Sequence, residues 1–287
     1  RNLQNMDYTN ITTNLEAYQC YLRGRFLMNF QKSLMDSFFA ARKAFEQAIA
    51  LDPEYAAAHA GLSECYNALG YTGFLPSAEA SRGALAHARR ALELDPDLAE
   101  AHTQQGWTKA TFSIDLATAE PDFQRALALS PDFAPAHGYY ANLLTALGRP
   151  DEALAQADRA RQLDPLWVIM PFIVSLALIC ARRFEEAERQ MRDLMDLDSR
   201  LEGTYWFLSS ALAGQGRIDE AITVLEKGVP LVFRAPFFLA LLGLWYARAG
   251  RRGEAEAVLA ELLAGGFCPP VWLAILCGGL GHIDRAF

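Results

Sequence analysis

Alanine returns along this chain at a spacing too regular for a globule built only once. Seven segments share the form Ala-x-x-x-(large apolar or Ala)-x-x-(small or apolar): Ala41/Phe45/Ala48, Ala84/Ala88/Ala91, Ala119/Phe123/Ala126, Ala153/Ala157/Ala160, Ala187/Met191/Leu194, Ala221/Leu225/Gly228 and Ala255/Leu259/Leu262. An eighth begins at Ala286. The leading alanines are separated by 43, 35, 34, 34, 34, 34 and 31 residues. Positions i, i+4 and i+7 lie on one face of a helix, so each segment reads as a helix with a single packing stripe. Its small leading residue admits a neighbouring helix, and Phe45, Phe123 or Met191 fills the space beside it. A recurrence of this length marks a stack of like units, each of which packs only on its neighbours.

The punctuation agrees with this reading. Leu51-Asp52-Pro53, Leu94-Asp95-Pro96, Leu129-Ser130-Pro131 and Leu163-Asp164-Pro165 end four of the helices, because the residue before proline is driven out of the α conformation. Leu197-Asp198-Ser199 lacks the proline, which predicts a looser junction. A second helix type precedes each Ala-rich one, as in His59/Leu62/Ser63/Tyr66, His137/Tyr140/Ala141/Leu144, Tyr205/Leu208/Ser209/Leu212 and Leu239/Leu242/Gly243/Tyr246. Glycine stands between the two helices at Gly148, Gly216, Gly250 and Gly281, where a left-handed residue ends a helix; Arg182 takes that place once. Extra residues fall around Leu27–Phe38, and about nine more at Tyr71–Ser77.

These residues resemble the tetratricopeptide (TPR) pattern, W-x2-L-G-x2-Y followed by A-x3-F and P, at its 34-residue period. The resemblance implies an all-α fold, a right-handed superhelical solenoid of antiparallel helix pairs. It would hold seven full repeats and a truncated eighth over residues 14–287, with residues 1–13 outside. More narrowly, Asn14-Leu15-Glu16-Ala17-Tyr18, Tyr21-Leu22-Arg23-Gly24-Arg25 and the final Leu280-Gly281-His282-Ile283-Asp284-Arg285-Ala286-Phe287 are similar to the C-terminal TPR regions of bacterial multidomain regulators. That likeness implies an upstream nucleotidyl cyclase, Ser/Thr kinase or winged-helix domain, and a cytoplasmic location.

Composition narrows the partners. The chain carries 26 basic and 34 acidic residues, a formal charge of −8, which repels phosphate backbones and argues against nucleic acid. Arg23, Arg25, Lys32, Arg42 and Lys43 make the N-terminal end locally basic and read as solvated helix faces. The five cysteines, Cys20, Cys65, Cys180, Cys268 and Cys277, form no C-x-x-C pair and read as small buried hydrophobes. The 16-residue uncharged stretch Leu166–Ala181 contains Pro171 and is shorter than the roughly 20 residues a membrane span needs, so no membrane insertion is expected. His59, His102 and His137 occupy like places in successive repeats, about 10 Å apart. They cannot converge on a metal and read as fillers where tryptophan is usual. Asp151/Glu152 and Glu185/Glu186 suit helix N-termini. No nucleophile or cofactor motif appears, so neither catalysis nor a cofactor is expected.

In a TPR stack the first helix of each pair lines the concave face, with residues one, four and eight places after its start turned inward. That register selects Glu64, Trp107, Asn142, Ile169, Phe172, Leu176, Trp206, Phe237, Leu244 and, one turn further on, Arg248, together with Ala57, Ala60, Glu100, Thr103, Gly138, Ser210 and Ala240. The early half reads as small and polar, the later half as apolar and aromatic. The Lys/Asn set with which chaperone-binding TPR domains hold a C-terminal carboxylate is matched by Asn142 alone. The expected function is therefore binding of a protein, peptide or helix, or of the chain's own upstream effector domain. Two alternatives stand beside it: a small apolar ligand or lipid in the later repeats, and self-association as a homodimer.

Overall fold

A computed structural model describes residues 12–29, 34–113, 115–167, 169–232, 234–264 and 270–282. Lys32, Cys268 and the segment beginning at Ala286 lie outside these. The described residues form fifteen α-helices: α1 (Leu15–Asn29), α2 (Leu34–Leu51), α3 (Ala56–Tyr71), α4 (Ser77–Leu94), α5 (Ala99–Thr108), α6 (Leu116–Leu129), α7 (Ala134–Ala146), α8 (Pro150–Leu163), α9 (Met170–Cys180), α10 (Phe184–Leu197), α11 (Glu202–Gly214), α12 (Ile218–Gly228), α13 (Pro236–Arg248), α14 (Arg252–Ala264) and α15 (Pro270–Leu280). They fall into two compact units. The N-terminal unit comprises Arg1–Leu147 and Ala155–Leu166, and the C-terminal unit comprises Gly148–Leu154 and Trp167–Phe287.

Each leading alanine of the sequence pattern, from Ala41 to Ala255, sits in an even-numbered helix at 0% exposure. A methyl is the largest group these positions hold. The larger residue four places on closes the space: Phe45, Phe123 and Met191 are also at 0%. Phe45 shows how tight this is. A Cβ added at Gly24 of α1 would lie 2.7 Å from its ring, and one at Gly61 of α3 would lie 2.5 Å from it. Two glycines on separate helices thus let the ring lie flat between them.

The extra residues before α4 do not form a long loop. They lengthen α3 to 16 and α4 to 18 residues, against 13 and 14 in α7 and α8. The interval of 35 between Ala84 and Ala119 has a different outcome. Its one surplus residue is taken up in a π-helical turn at Lys109–Ser113, after α5, which is how a helix absorbs a single insertion.

Three recurrent joints hold the hairpins together. At the junction between repeats the aspartate folds back on the chain. Asp52, Asp95, Asp164 and Asp198 accept the amides of Glu54, Asp97, Leu166 and Arg200 at 3.1, 3.0, 3.1 and 2.9 Å, an Asx turn that supplies the helix end with a partner. The looser junction expected at Ser199 is therefore not found. Asp198 keeps the common bond without proline and also takes the Arg200 guanidinium at 2.9 Å, and these contacts lower its pKa to about 2.

The second joint is the histidine series. His59, His102 and His137 each donate from Nε2 to the carbonyl of the proline six residues earlier, Pro53, Pro96 and Pro131, at 3.3, 2.9 and 2.9 Å. Tyr205 donates its hydroxyl to Ser199 in the same way at 2.9 Å. These rings are space-fillers, as expected, and tethers as well.

The third joint lies inside each hairpin. Gly148, Gly216 and Gly250 adopt φ of 73°, 81° and 76°, and Arg182 adopts 60°. An arginine follows every one of them and grips the glutamate three residues on: Arg149–Glu152, Arg183–Glu186, Arg217–Glu220 and Arg251–Glu254. Two parallel N–H···O bonds make the Arg183 and Arg217 pairs, at 2.6–2.7 Å. The acidic residues at these helix starts thus answer an arginine as well as the helix dipole.

Candidate functional site: an apolar groove in the C-terminal unit

The ends of α9, α11 and α13 and the start of α10 enclose a groove of about 320 Å³, lined by Leu176, Ile179, Phe184, Trp206, Ser210, Gly214, Trp245 and Arg248. Gly214 makes room for it. A Cβ there would lie 2.4 Å from the Phe184 ring, so only glycine lets that ring lie against α11 and form one wall. Trp206 packs edge-on to Phe207 with centroids 4.8 Å apart, and its covered indole N–H has no acceptor. Across the groove the Arg248 guanidinium lies 5.1 Å above the Trp245 ring. The Arg182 guanidinium lies 5.9 Å above Phe184.

Of the residues selected by register, Leu176, Trp206, Ser210 and Arg248 meet here. The others of this unit do not. Phe172 stacks on Phe207 at 5.6 Å and covers Gly203. Phe237 packs on Phe238 and Trp272 at 5.0 and 6.1 Å. Leu244 lies over Gly279. All three support the core of this unit, because an inward residue on a first helix can be covered by the next one. Ile169 precedes α9 and is 39% exposed. Phe184, Gly214 and Trp245 were outside the register; only the second helix's first aromatic, Phe184, carried a signal, as the large apolar residue directly after an Arg-Arg turn.

In the N-terminal unit the expectation of a small, polar surface needs correction. Trp107 stacks on Tyr139 at 4.7 Å and tilts against Tyr71 at 5.8 Å, so three aromatic rings cluster there. Burial pushes the Tyr139 phenol up from its ordinary value. Glu64 holds Arg25 at 2.5 Å, and the Glu64 charge raises the Arg25 pKa. Around this pair Tyr21, Gly61, Glu100, Gln104, Phe133 and Pro135 leave a cleft of only about 10 Å³, room for one water. Asn142 is half-buried on α7. Arg42 likewise is not free, since it pairs with Glu46 and covers Tyr66.

His59 and His87 meet elsewhere in this unit. Their Nδ1 atoms are 3.1 Å apart. The Nε2 of His59 donates to Pro53, so its Nδ1 accepts in the neutral ring and His87 must donate from Nδ1. Burial lowers both pKa values, that of His87 to about 4. Cys65 and Cys277 are buried as expected, but Cys180 is exposed at the end of α9. No group of three metal-ligating side chains occurs among the described residues. Nor is any described helix long and apolar enough to cross a membrane.

Tetratricopeptide-repeat family models match residues 38–71 and 115–167. The helices within these two stretches belong to tetratricopeptide repeats. Solved TPR structures of similar fold include a tetratricopeptide repeat protein from Parabacteroides merdae, 13% identical over 93% of this chain and 100% of that one, with a TM-score of 0.63. The human IFIT1 dimer solved with m7Gppp-AAAA is 15% identical over 94% of this chain and 70% of its own, with a TM-score of 0.72. A thermophilic TPR protein from Thermus thermophilus is 18% identical over 69% of this chain and 99% of that one, with a TM-score of 0.54. A comparison with curated protein sequences finds no match. The fold is all-α and of the TPR solenoid class. TPR proteins are generally non-catalytic scaffolds, and their fold supports protein–protein interaction.

Proposed function

We propose that this TPR chain is an interaction module that seats a peptide segment or helix in the groove of its C-terminal unit. One observation carries the reading: Leu176, Trp206 and Trp245, from three successive first helices, leave an apolar groove that is already open without a partner. A preformed concavity loses little ordering entropy when a flexible segment docks, and buried tryptophans are strong anchors. The narrower likeness to bacterial regulators makes the chain's own effector domain one candidate partner. IFIT1 was solved with a capped RNA, but that ligand does not suit a chain of net charge −8 whose Arg25 is already taken by Glu64.

The test replaces Leu176 and Trp206 together by alanine and compares proteins captured from cells with those held by the parent chain. Phe172 is left intact because it supports the core. Loss of specific partners with unchanged helical circular dichroism is expected. An unchanged set of captured proteins would count against the groove.

A further inference from the structure

Most of the described arginines of the C-terminal unit are occupied. Arg183, Arg192, Arg200, Arg217, Arg234, Arg251 and Arg252 each hold a carboxylate. Among the described residues of this unit, Arg182, Arg189 and Arg248 have no ion-pair partner. Acidic residues outnumber basic ones by 34 to 26, so a guanidinium left without a carboxylate is conspicuous. Arg248 lines the apolar groove and lies over Trp245, and Arg182 lies over Phe184, another ring of its wall. A guanidinium drawn to an aromatic face keeps its N–H groups available for a carboxylate.

The positions differ in what else explains them. Arg248 ends α13, where the helix dipole favours a cation. Arg182 stands just past the end of α9, where the same dipole acts, but it carries a backbone cost as well. It occupies a left-handed turn, φ 60°, where the equivalent residues of the neighbouring hairpins are glycine. A strained residue beside a cleft points to a role for its side chain.

We propose that the groove takes an acidic amphipathic peptide segment: apolar side chains seat against Leu176 and Trp206, and carboxylates on either side meet Arg182 and Arg248. The inference rests on the groove reading above and adds the charge of the partner. The two cations belong to opposite ends of the site. Arg182 follows α9 and Arg248 closes α13, with α11 between them. First helices about 10 Å apart make this a span for a segment of several residues, which selects a peptide over a compact metabolite.

The experiment selects 15-residue peptides from a random displayed library on the immobilised full chain. Selected peptides are then titrated by tryptophan emission, since Trp206 and Trp245 line the site. Enriched sequences should combine two or more apolar residues with flanking Asp or Glu. Arg182→Gln with Arg248→Gln should weaken them at least tenfold at an unchanged urea midpoint, whereas Arg189→Gln should leave affinity within twofold. Enrichment of basic or uncharged sequences, or of none, would overturn the proposal, as would an unaltered affinity in the double variant. Laurate, an apolar acid without a peptide backbone, is the control: binding as tight as the peptides would refute a peptide occupant. Uncharged peptides that still need Leu176 and Trp206 would sink the charge inference and spare the groove. Peptides indifferent to both residues would sink the groove as well.

Discussion

Gly61→Ala offers a sharp test of how the N-terminal unit is packed, because two effects of known sign oppose each other. Alanine is favoured over glycine inside a helix by about 1 kcal/mol, and Gly61 lies in the middle of α3. Against this, the new methyl would stand 2.5, 2.7 and 3.0 Å from three ring atoms of Phe45. That ring is fully buried and is held on its other side by Gly24, where an added Cβ would come as close. It cannot step aside, and overpacking of this kind costs about 3 kcal/mol. The packing term wins, for a net loss of about 2 kcal/mol. With an m-value of about 2 kcal/mol/M, the urea midpoint of the unit falls by about 1 M. The assay is urea unfolding followed by circular dichroism at 222 nm, with amide exchange in α1–α3 to locate the change. The decisive arm repeats the substitution in a Phe45→Leu background. Without the flat ring the sign should reverse, and alanine should stabilise by about 0.5–1 kcal/mol. A stabilising Gly61→Ala in the parent chain, or equal effects in both backgrounds, would refute the reasoning.

The His59–His87 pair makes stability depend on pH. Both rings titrate lower when folded than the ordinary 6.5, His87 near 4, so between these values the unfolded chain binds protons that the folded chain does not. Stability is therefore full above about pH 6.5 and declines as pH falls toward 4. Because His87 is only half-buried, solvent screening holds its loss to about 1 kcal/mol. Urea midpoints at pH 7.5, 5.5 and 4.5 measure it, and His87→Gln, whose side-chain amide can donate to the His59 Nδ1 in place of the ring, should reduce the slope; an unchanged slope would show that the pair is not its source. At the α9–α10 turn, Arg182→Gly removes a left-handed strain of about 1–2 kcal/mol and adds about 0.4–1 kcal/mol of unfolded-state freedom. The expected result is a melting temperature higher by a few degrees, and a decrease would contradict the strain assignment.

Much of the fold was legible because it rests on short-range steric rules. The alanine stripe, the proline stops and the glycine turns each specify a local geometry, and they recur. The joints were less visible because their partners are polar and their meaning is geometric. Nothing in Asp198 alone says that its carboxylate will take over where proline is missing. The arginine after each turn is plain in sequence, yet its grip on glutamate appears only once the left-handed residue brings the two together. The candidate groove was read in part. Leu176, Trp206 and Arg248 followed from the inward register. Phe172, Phe237 and Leu244 obeyed the same register and were claimed by neighbouring side chains, since a periodic rule gives the direction of a residue and not what comes to cover it. Gly214 was hidden for the opposite reason: its contribution to the groove is the absence of a side chain.

The recurrent joints are made by residues at most six apart in the chain: two for the aspartate turns, three for the arginine–glutamate grips and six for the histidine tethers. A growing polypeptide can thus close each of them as soon as it leaves the ribosome, without waiting for distant sequence. Order in this protein can accumulate at the pace of translation, one hairpin at a time.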